Sequence, residues 1–115
     1  MINVNATVSG GNSSLNYGIY NFASSLEMTD VTATVSGGTS YGLGNDSLFP
    51  GSYTVLIDRC SFTGSTNSIF NNQYFDVKIG NSKLAGPINN GTGTFTCVGS
   101  YNGGYAALGT DCQPL

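Results

Sequence analysis

Histidine and tryptophan are both absent from this 115-residue chain, and only 3 basic and 6 acidic side chains are present. Each shortage removes a class of function. Without histidine the chain itself holds no Ser-His-Asp triad, no imidazole general base and no histidine metal ligand. Three scattered cations make no basic patch, so nucleic acid is not an expected partner. No apolar run approaches the roughly 20 residues of a helical membrane span, so membrane insertion is not expected either. Glycine is plentiful, yet no phosphate-loop spacing ends in Gly-Lys-Ser/Thr, which leaves nucleotide binding without support. A C-x-x-C pair is missing too, and with it any signal for zinc or thioredoxin-like redox chemistry. The expectation is a chain with no cofactor and no metal.

What is present is unusual in its balance. Gly 17, Ser 14, Asn 13 and Thr 12 make up about half of the chain. Disorder goes with high net charge and few aromatics. Here the formal charge is only −3, and Tyr 7, Phe 6 and a hydrophobic share of 39% supply a core. The length fits one domain. Met1-Ile2-Asn3-Val4 opens directly in a patterned segment, without a basic n-region or an apolar h-region, so no export signal is present in this chain. Cys60 alternates with apolar neighbours and reads as a small core residue. Cys97 and Cys112 bracket the C-terminal stretch and are expected to close a disulfide loop, worth about 3 kcal/mol on the chain-entropy model. The alternative is free thiols in a reducing compartment.

Self-similarity dominates the pattern. The phrase from Met1 to Gly11 recurs from Met28 to Gly38, a shift of 27 residues, with looser copies beginning at Ile57 and Ile79. The aligned inward candidates are Met1, Met28, Ile57 and Ile79, then Val4, Val31, Cys60 and Ser82, then Ala6, Ala33, Phe62 and Leu84. A second phrase lies midway, at Ile19-Tyr20-Asn21, Leu43-Gly44-Asn45, Ile69-Phe70-Asn71 and Ile88-Asn89-Asn90. Alternation with period two predicts half-buried strands. Asparagine suits a corner, because it tolerates left-handed backbone and satisfies neighbouring backbone groups. Repeats of 19 to 29 residues with three short strands each describe a solenoid. The expected fold is all-β, a right-handed parallel β-helix of about four coils (residues 1–93), followed by a C-terminal partial coil and capping segment (94–115).

The phrases Met28 to Gly38 and Tyr17-Gly18-Ile19-Tyr20-Asn21 resemble bacterial right-handed parallel β-helix repeat proteins, of the pectin-lyase-like superfold. Val77 to Gly86 and Gly93 to Tyr101 resemble the C-terminal ends of such proteins. The resemblance covers nearly the whole chain. It implies the end of a repeat array in a secreted or cell-surface bacterial protein. The wider fold also hosts pectate lyases and phage tailspikes, so the likeness speaks for fold more than for function.

Three surfaces are candidates for function. Of the acids Glu27, Asp30, Asp46, Asp58, Asp76 and Asp111, Asp30 and Asp58 fall near the same bend in adjacent repeats. Such a pair can serve acid–base chemistry or calcium, although the plainer reading is Asp suited to a bend, with Arg59 balancing the charge. Outward positions Thr7, Thr32, Thr34 and Thr63 form a hydroxyl face like that of ice-binding solenoids, or are simply good strand residues. Tyr17, Tyr20, Tyr41, Phe49 and Tyr53 are read in or near loops, where they can stack on sugar rings or cover the core. Sequons at Asn5, Asn12, Asn45 and Asn90 are expected by chance in such a composition.

The leading expectation is a non-enzymatic structural or interaction module with a polysaccharide or cell-surface glycan as partner, possessing adhesive capacity. The runner-up is a non-catalytic fragment of a polysaccharide-processing or tailspike-like protein. Phe95, Tyr101, Tyr105 and Leu108 are expected to cover the last coil, whereas nothing comparable covers the first. Self-association through the uncapped N-terminal coil follows. Sedimentation at several concentrations is expected to show a dimer, and a strictly monomeric chain at all of them contradicts the expectation.

Overall fold

The structure, a computed structural model, describes residues 1–10, 15–72, 74–90 and 93–115. Gly11 of the first repeat phrase and the Asn12 sequon lie outside the described residues, as does the side chain of Asn90. The described residues contain strands and turns and no helix. The strands are β1 (Asn5–Ser9), β2 (Leu15–Phe22), β3 (Leu26–Thr29), β4 (Thr32–Ser36), β5 (Thr39–Asp46), β6 (Tyr53–Asp58) and β7 (Ser61–Gly64). They continue as β8 (Asn67–Asn71), β9 (Phe75–Gly80), β10 (Lys83–Ala85), β11 (Ile88–Asn90), β12 (Thr94–Val98) and β13 (Tyr101–Asn102). The chain visits three parallel sheets in rotation, so each strand lies on the strand three earlier. The first sheet runs β1-β4-β7-β10-β13, the second β2-β5-β8-β11 and the third β3-β6-β9-β12.

The register follows the repeat. Ala6 lies on Ala33, Ala33 on Phe62 and Phe62 on Leu84. On the third sheet Met28, Ile57, Ile79 and Cys97 stack, and on the second Ile19, Leu43, Ile69 and Ile88. These columns face one another and form a single buried cluster. The interior is narrow enough that Gly42 is needed opposite Phe62, since a Cβ there would meet the Ser68 carbonyl oxygen at 2.6 Å and Phe62 Cβ at 3.0 Å.

Between the third and first sheets the chain bends through one left-handed residue per circuit. Asn3, Asp30, Arg59, Asn81 and Gly99 have φ of 55°, 55°, 51°, 50° and 64°. Two of the five are Asn and one is Gly, residues that adopt this conformation at little cost. Just after the bend, Ser82 and Ser100 continue the inward column of Val31 and Cys60. Their hydroxyls accept the Cys60 and Ser82 N–H groups at 3.0 and 3.2 Å, so these two polar side chains are buried without being orphaned. At the corner between the second and third sheets, the Asn21 side-chain amide donates to Asn45 Oδ1 at 3.1 Å and to Ser24 O at 2.9 Å. Asn45 is wholly buried, so its sequon is not presented by the folded chain.

The two ends differ. At the N-terminal end Val4 and Ala6 are only partly buried, Met1 is exposed and Ile2 is 69% exposed. At the other end a Cys97–Cys112 disulfide ties residues 109–114 back to β12. Phe95 and Leu108 face the core there. Tyr101 and Tyr105 do not: they stack on each other outside at 5.3 Å, with Tyr105 72% exposed and the Lys83 ammonium 4.8 Å from its ring centre. The expectation that both cover the last circuit is thus corrected. Tyr101 lies in register with Lys83 and so inherits an outward position.

Phe62 is the largest side chain wholly removed from solvent. Replacing it with alanine leaves a cavity among the stacked inward columns. Phe62→Ala is expected to cost about 3–5 kcal/mol, read as a lowered urea midpoint at unchanged slope.

Candidate functional site

An aromatic strip crosses the outer face of the second sheet. Along β2 and β5, Ile19, Asn21, Leu43 and Asn45 turn inward and Tyr20, Phe22 and Gly44 outward, while the inward-facing Gly18 and Gly42 interrupt the alternation and leave Tyr17 and Tyr41 outside as well. Register then gathers the outward rings. Tyr17 lies on Tyr41, and Tyr20 lies on Gly44, which lies on Phe70. Ring centres are 4.8 Å apart for Tyr17–Tyr20, 5.3 Å for Tyr17–Tyr41, 5.0 Å for Tyr41–Phe70 and 6.3 Å for Tyr20–Phe22. The five rings are therefore one connected surface. Gly44 makes it possible: a Cβ on it would lie 2.3 Å from Tyr17 Cε1, so the Tyr17 ring rests on the bare backbone of β5.

A polar cluster fixes one border of the strip. The Tyr20 hydroxyl donates to Asp46 Oδ2 at 3.1 Å. Asp46 Oδ1 accepts the Ser47 N–H at 2.8 Å and the Asn72 side-chain amide at 2.5 Å. Burial, then the bond to Asp46 and the charge of that carboxylate, push the Tyr20 hydroxyl above its ordinary pKa. Tyr17 is pushed up as well, mainly by burial and then by Tyr20, Tyr41 and Asp46. The three cations of the chain all lie elsewhere. Arg59 is at the bend with Asp30 and Asp58, Lys78 is beside Asp76 on the third sheet, and Lys83 is under Tyr105 on the first.

Of the five aromatics expected to form a ligand surface, Tyr17, Tyr20 and Tyr41 are brought together, and they sit within strands and not in loops. Phe49 stands exposed on the 47–52 loop. Tyr53 belongs to the third sheet, where it packs on Phe75 at 5.0 Å and against the core. Phe70 and Phe22 are the members that loop-based reasoning missed. The position of Phe70 is readable from the Ile-x-Asn phrase, which fixes Tyr20, Gly44 and Phe70 in one row, and Phe22 follows that phrase in register with Asp46.

The other candidates resolve as follows. Arg59 sits between the two acids, donating through Nε to Asp30 at 3.0 Å and through Nη1 to Asp58 at 2.9 Å, and Asn81 donates to Asp58 at 3.2 Å. The bond to Asp30, then both carboxylate charges, hold the guanidinium pKa above its ordinary value. The arrangement is an exposed ion-pair cluster, and the described residues contain no group of three or more Cys, Asp or Glu placed to hold a metal. Thr7, Thr34 and Thr63 stack in register, with Thr32 between Asn5 and Ser61. Thr7, Thr32 and Thr34 are exposed and Thr63 is half-buried, and Ala85 and Lys83 interrupt both rows. Cys60 is a buried free thiol whose pKa burial pushes up.

No family model matches the chain, and no curated protein or solved structure matches it either.

The tyrosine environment has a measurable consequence. Both raised hydroxyls favour the neutral form in the fold, so their contribution to stability is intact below the ordinary value of 10.0 and is lost as pH rises through the folded values. Ultraviolet titration is expected to show Tyr17 and Tyr20 ionising above the ordinary tyrosine value. Asp46→Asn should move Tyr20 back towards its ordinary value but not fully to it, because burial is the larger cause and remains.

Proposed function

We propose that the chain is a right-handed parallel β-helix segment of about four coils with a capped fifth, from an exported or surface bacterial repeat protein. Its role is non-enzymatic. It presents a rigid surface on which the aromatic strip of the second sheet holds a glycan. The observation that carries this reading is the unbroken ring contact from Phe22 through Tyr20, Tyr17 and Tyr41 to Phe70. Flat ring faces with a negative quadrupole suit the polarised C–H face of a pyranose, and burial of that face is favourable in water.

Charge narrows the ligand. The strip has one carboxylate, already engaged by three donors, and none of the chain's cations. An acidic polysaccharide would find no counter-charge there, so a neutral hexose polymer is the better complement. Rigidity helps too, because rings mounted on strands lose little freedom when a ligand arrives.

The experiment is a glycan array followed by titration calorimetry on the best neutral oligosaccharide. Tyr41→Ala, with circular dichroism unchanged, is expected to weaken binding about tenfold, equivalent to about 1.4 kcal/mol. Unaltered affinity in that variant, or an array without any neutral glycan signal, would overturn the proposal.

A further inference from the structure

The C-terminal cap closes two of the three sheets. Along the first, residues 106–108 run antiparallel to β13, with Tyr101 bridged to Ala107 and the Leu108 N–H donating to Ser100 O at 2.9 Å. Along the third, the Cys97 N–H donates to Thr110 O at 2.9 Å, beside the disulfide. The second sheet ends on β11. Among the described residues, no strand or turn bonds to the far edge of that strand.

An apolar cavity of about 450 Å³ lies beside this open edge, lined by Leu84, Pro87, Ile88, Leu108, Cys112 and Pro114 among others. It forms where two inward columns stop. Leu84 is followed in register by the polar Asn102, and Ile88 by no residue among those described. Ile69 and Leu43 below it are wholly buried, whereas Ile88 is only partly so.

An open strand edge is complemented by another strand, because only a backbone matches its row of donors and acceptors. A whole second copy does not fit as a further layer. The cap already occupies the places its β1 and β3 would take on the first and third sheets. We infer that this end binds a single extended peptide segment of a partner protein, added to β11 as a parallel strand with an aliphatic side chain seated over Ile88. The repeat itself specifies the pattern that stacks on this sheet. Ile19, Leu43, Ile69 and Ile88 share the column, and each is followed two residues later by asparagine.

The probe is an end-blocked synthetic peptide, Asn-Ser-Ile-Phe-Asn, the sequence of β8, added to the folded, disulfide-bonded chain and followed by NMR. Saturable shifts are expected at the Ile88 and Asn89 amides and at the Leu84, Ile88 and Leu108 methyl groups, with the aromatic strip unmoved. Aspartate in place of the peptide isoleucine should weaken binding about tenfold or more, from the loss of one buried aliphatic side chain. Two further peptides carry N-methyl groups at the odd or at the even positions and keep every side chain. A parallel strand directs alternate N–H groups to one neighbour, so only one of the two should lose affinity. Equal binding by both, or no saturable shift with millimolar peptide, overturns the inference. So does loss of the Ile88 signals on raising protein concentration without peptide, which would give the edge to a second copy.

Discussion

Parallel pairing between strands one circuit apart is the constraint on which the rest of this structure depends. Each strand of the interior takes its backbone partners from the strands three before and three after it, and almost none from its sequence neighbours. A parallel ladder of this kind fixes register, and register fixes which side chains touch. A single displaced residue would turn Phe62 and Val31 outward and Thr32 and Ser61 inward. The alternation of small apolar and hydroxyl residues is what makes that slip costly.

The same constraint shapes both candidate surfaces. The aromatic strip exists because outward positions of β2, β5 and β8 are brought within a few ångströms of one another by pairing. Tyr17 reaches across to the backbone of Gly44 because the next strand offers a residue without a side chain. The open edge of β11 arises from a limit of the same arrangement. Stacking satisfies only interior layers, so a last layer needs a different device on each of its three sides. Here residues 106–108 and the Cys97–Cys112 pair supply two such devices, and Ile88 remains under an open cavity.

Much of this is legible in the sequence. The 27-residue echo of Met1–Gly11 in Met28–Gly38 is the pairing of β1 with β4, residue for residue over Asn5–Ser9. The Ile-x-Asn phrase is the second sheet. What was not legible has physical reasons. The sequence alone puts the rings in loops, because strand ends are poorly marked where Gly and Asn occur inside strands, as in β5. Counting back one residue from the Val31–Cys60 column places Arg59, and not Asp58, in line with Asp30. An apparent pair of acids is therefore an acid–base–acid cluster. After Asn102 the register ends, and the tail beyond it, held by a disulfide and a few bridges, carries no repeat from which Tyr105 can be placed.

Stacking also accounts for the shortage of charge. In-register neighbours lie roughly 4.8 Å apart, and a like charge directly opposite is destabilising. Glu27 lies against Leu56, and Lys78 lies between Leu56 and Thr96. Asp76 sits between Thr54 and Thr94, whose hydroxyl donates to it at 2.8 Å. Lys83 lies between Ser61 and Tyr101. Where two charged residues do meet, at Asp30 and Arg59, they have opposite sign. A fold that repeats its neighbours every layer turns any favoured charge into a column of repulsion, unless each one is separated or alternated. Ser, Thr and Asn avoid the problem because they donate and accept with their own kind, as Asn21 does with Asn45. A chain built this way keeps its surface polar without charging it, and any ligand-binding face it offers is left to aromatic rings and hydroxyls.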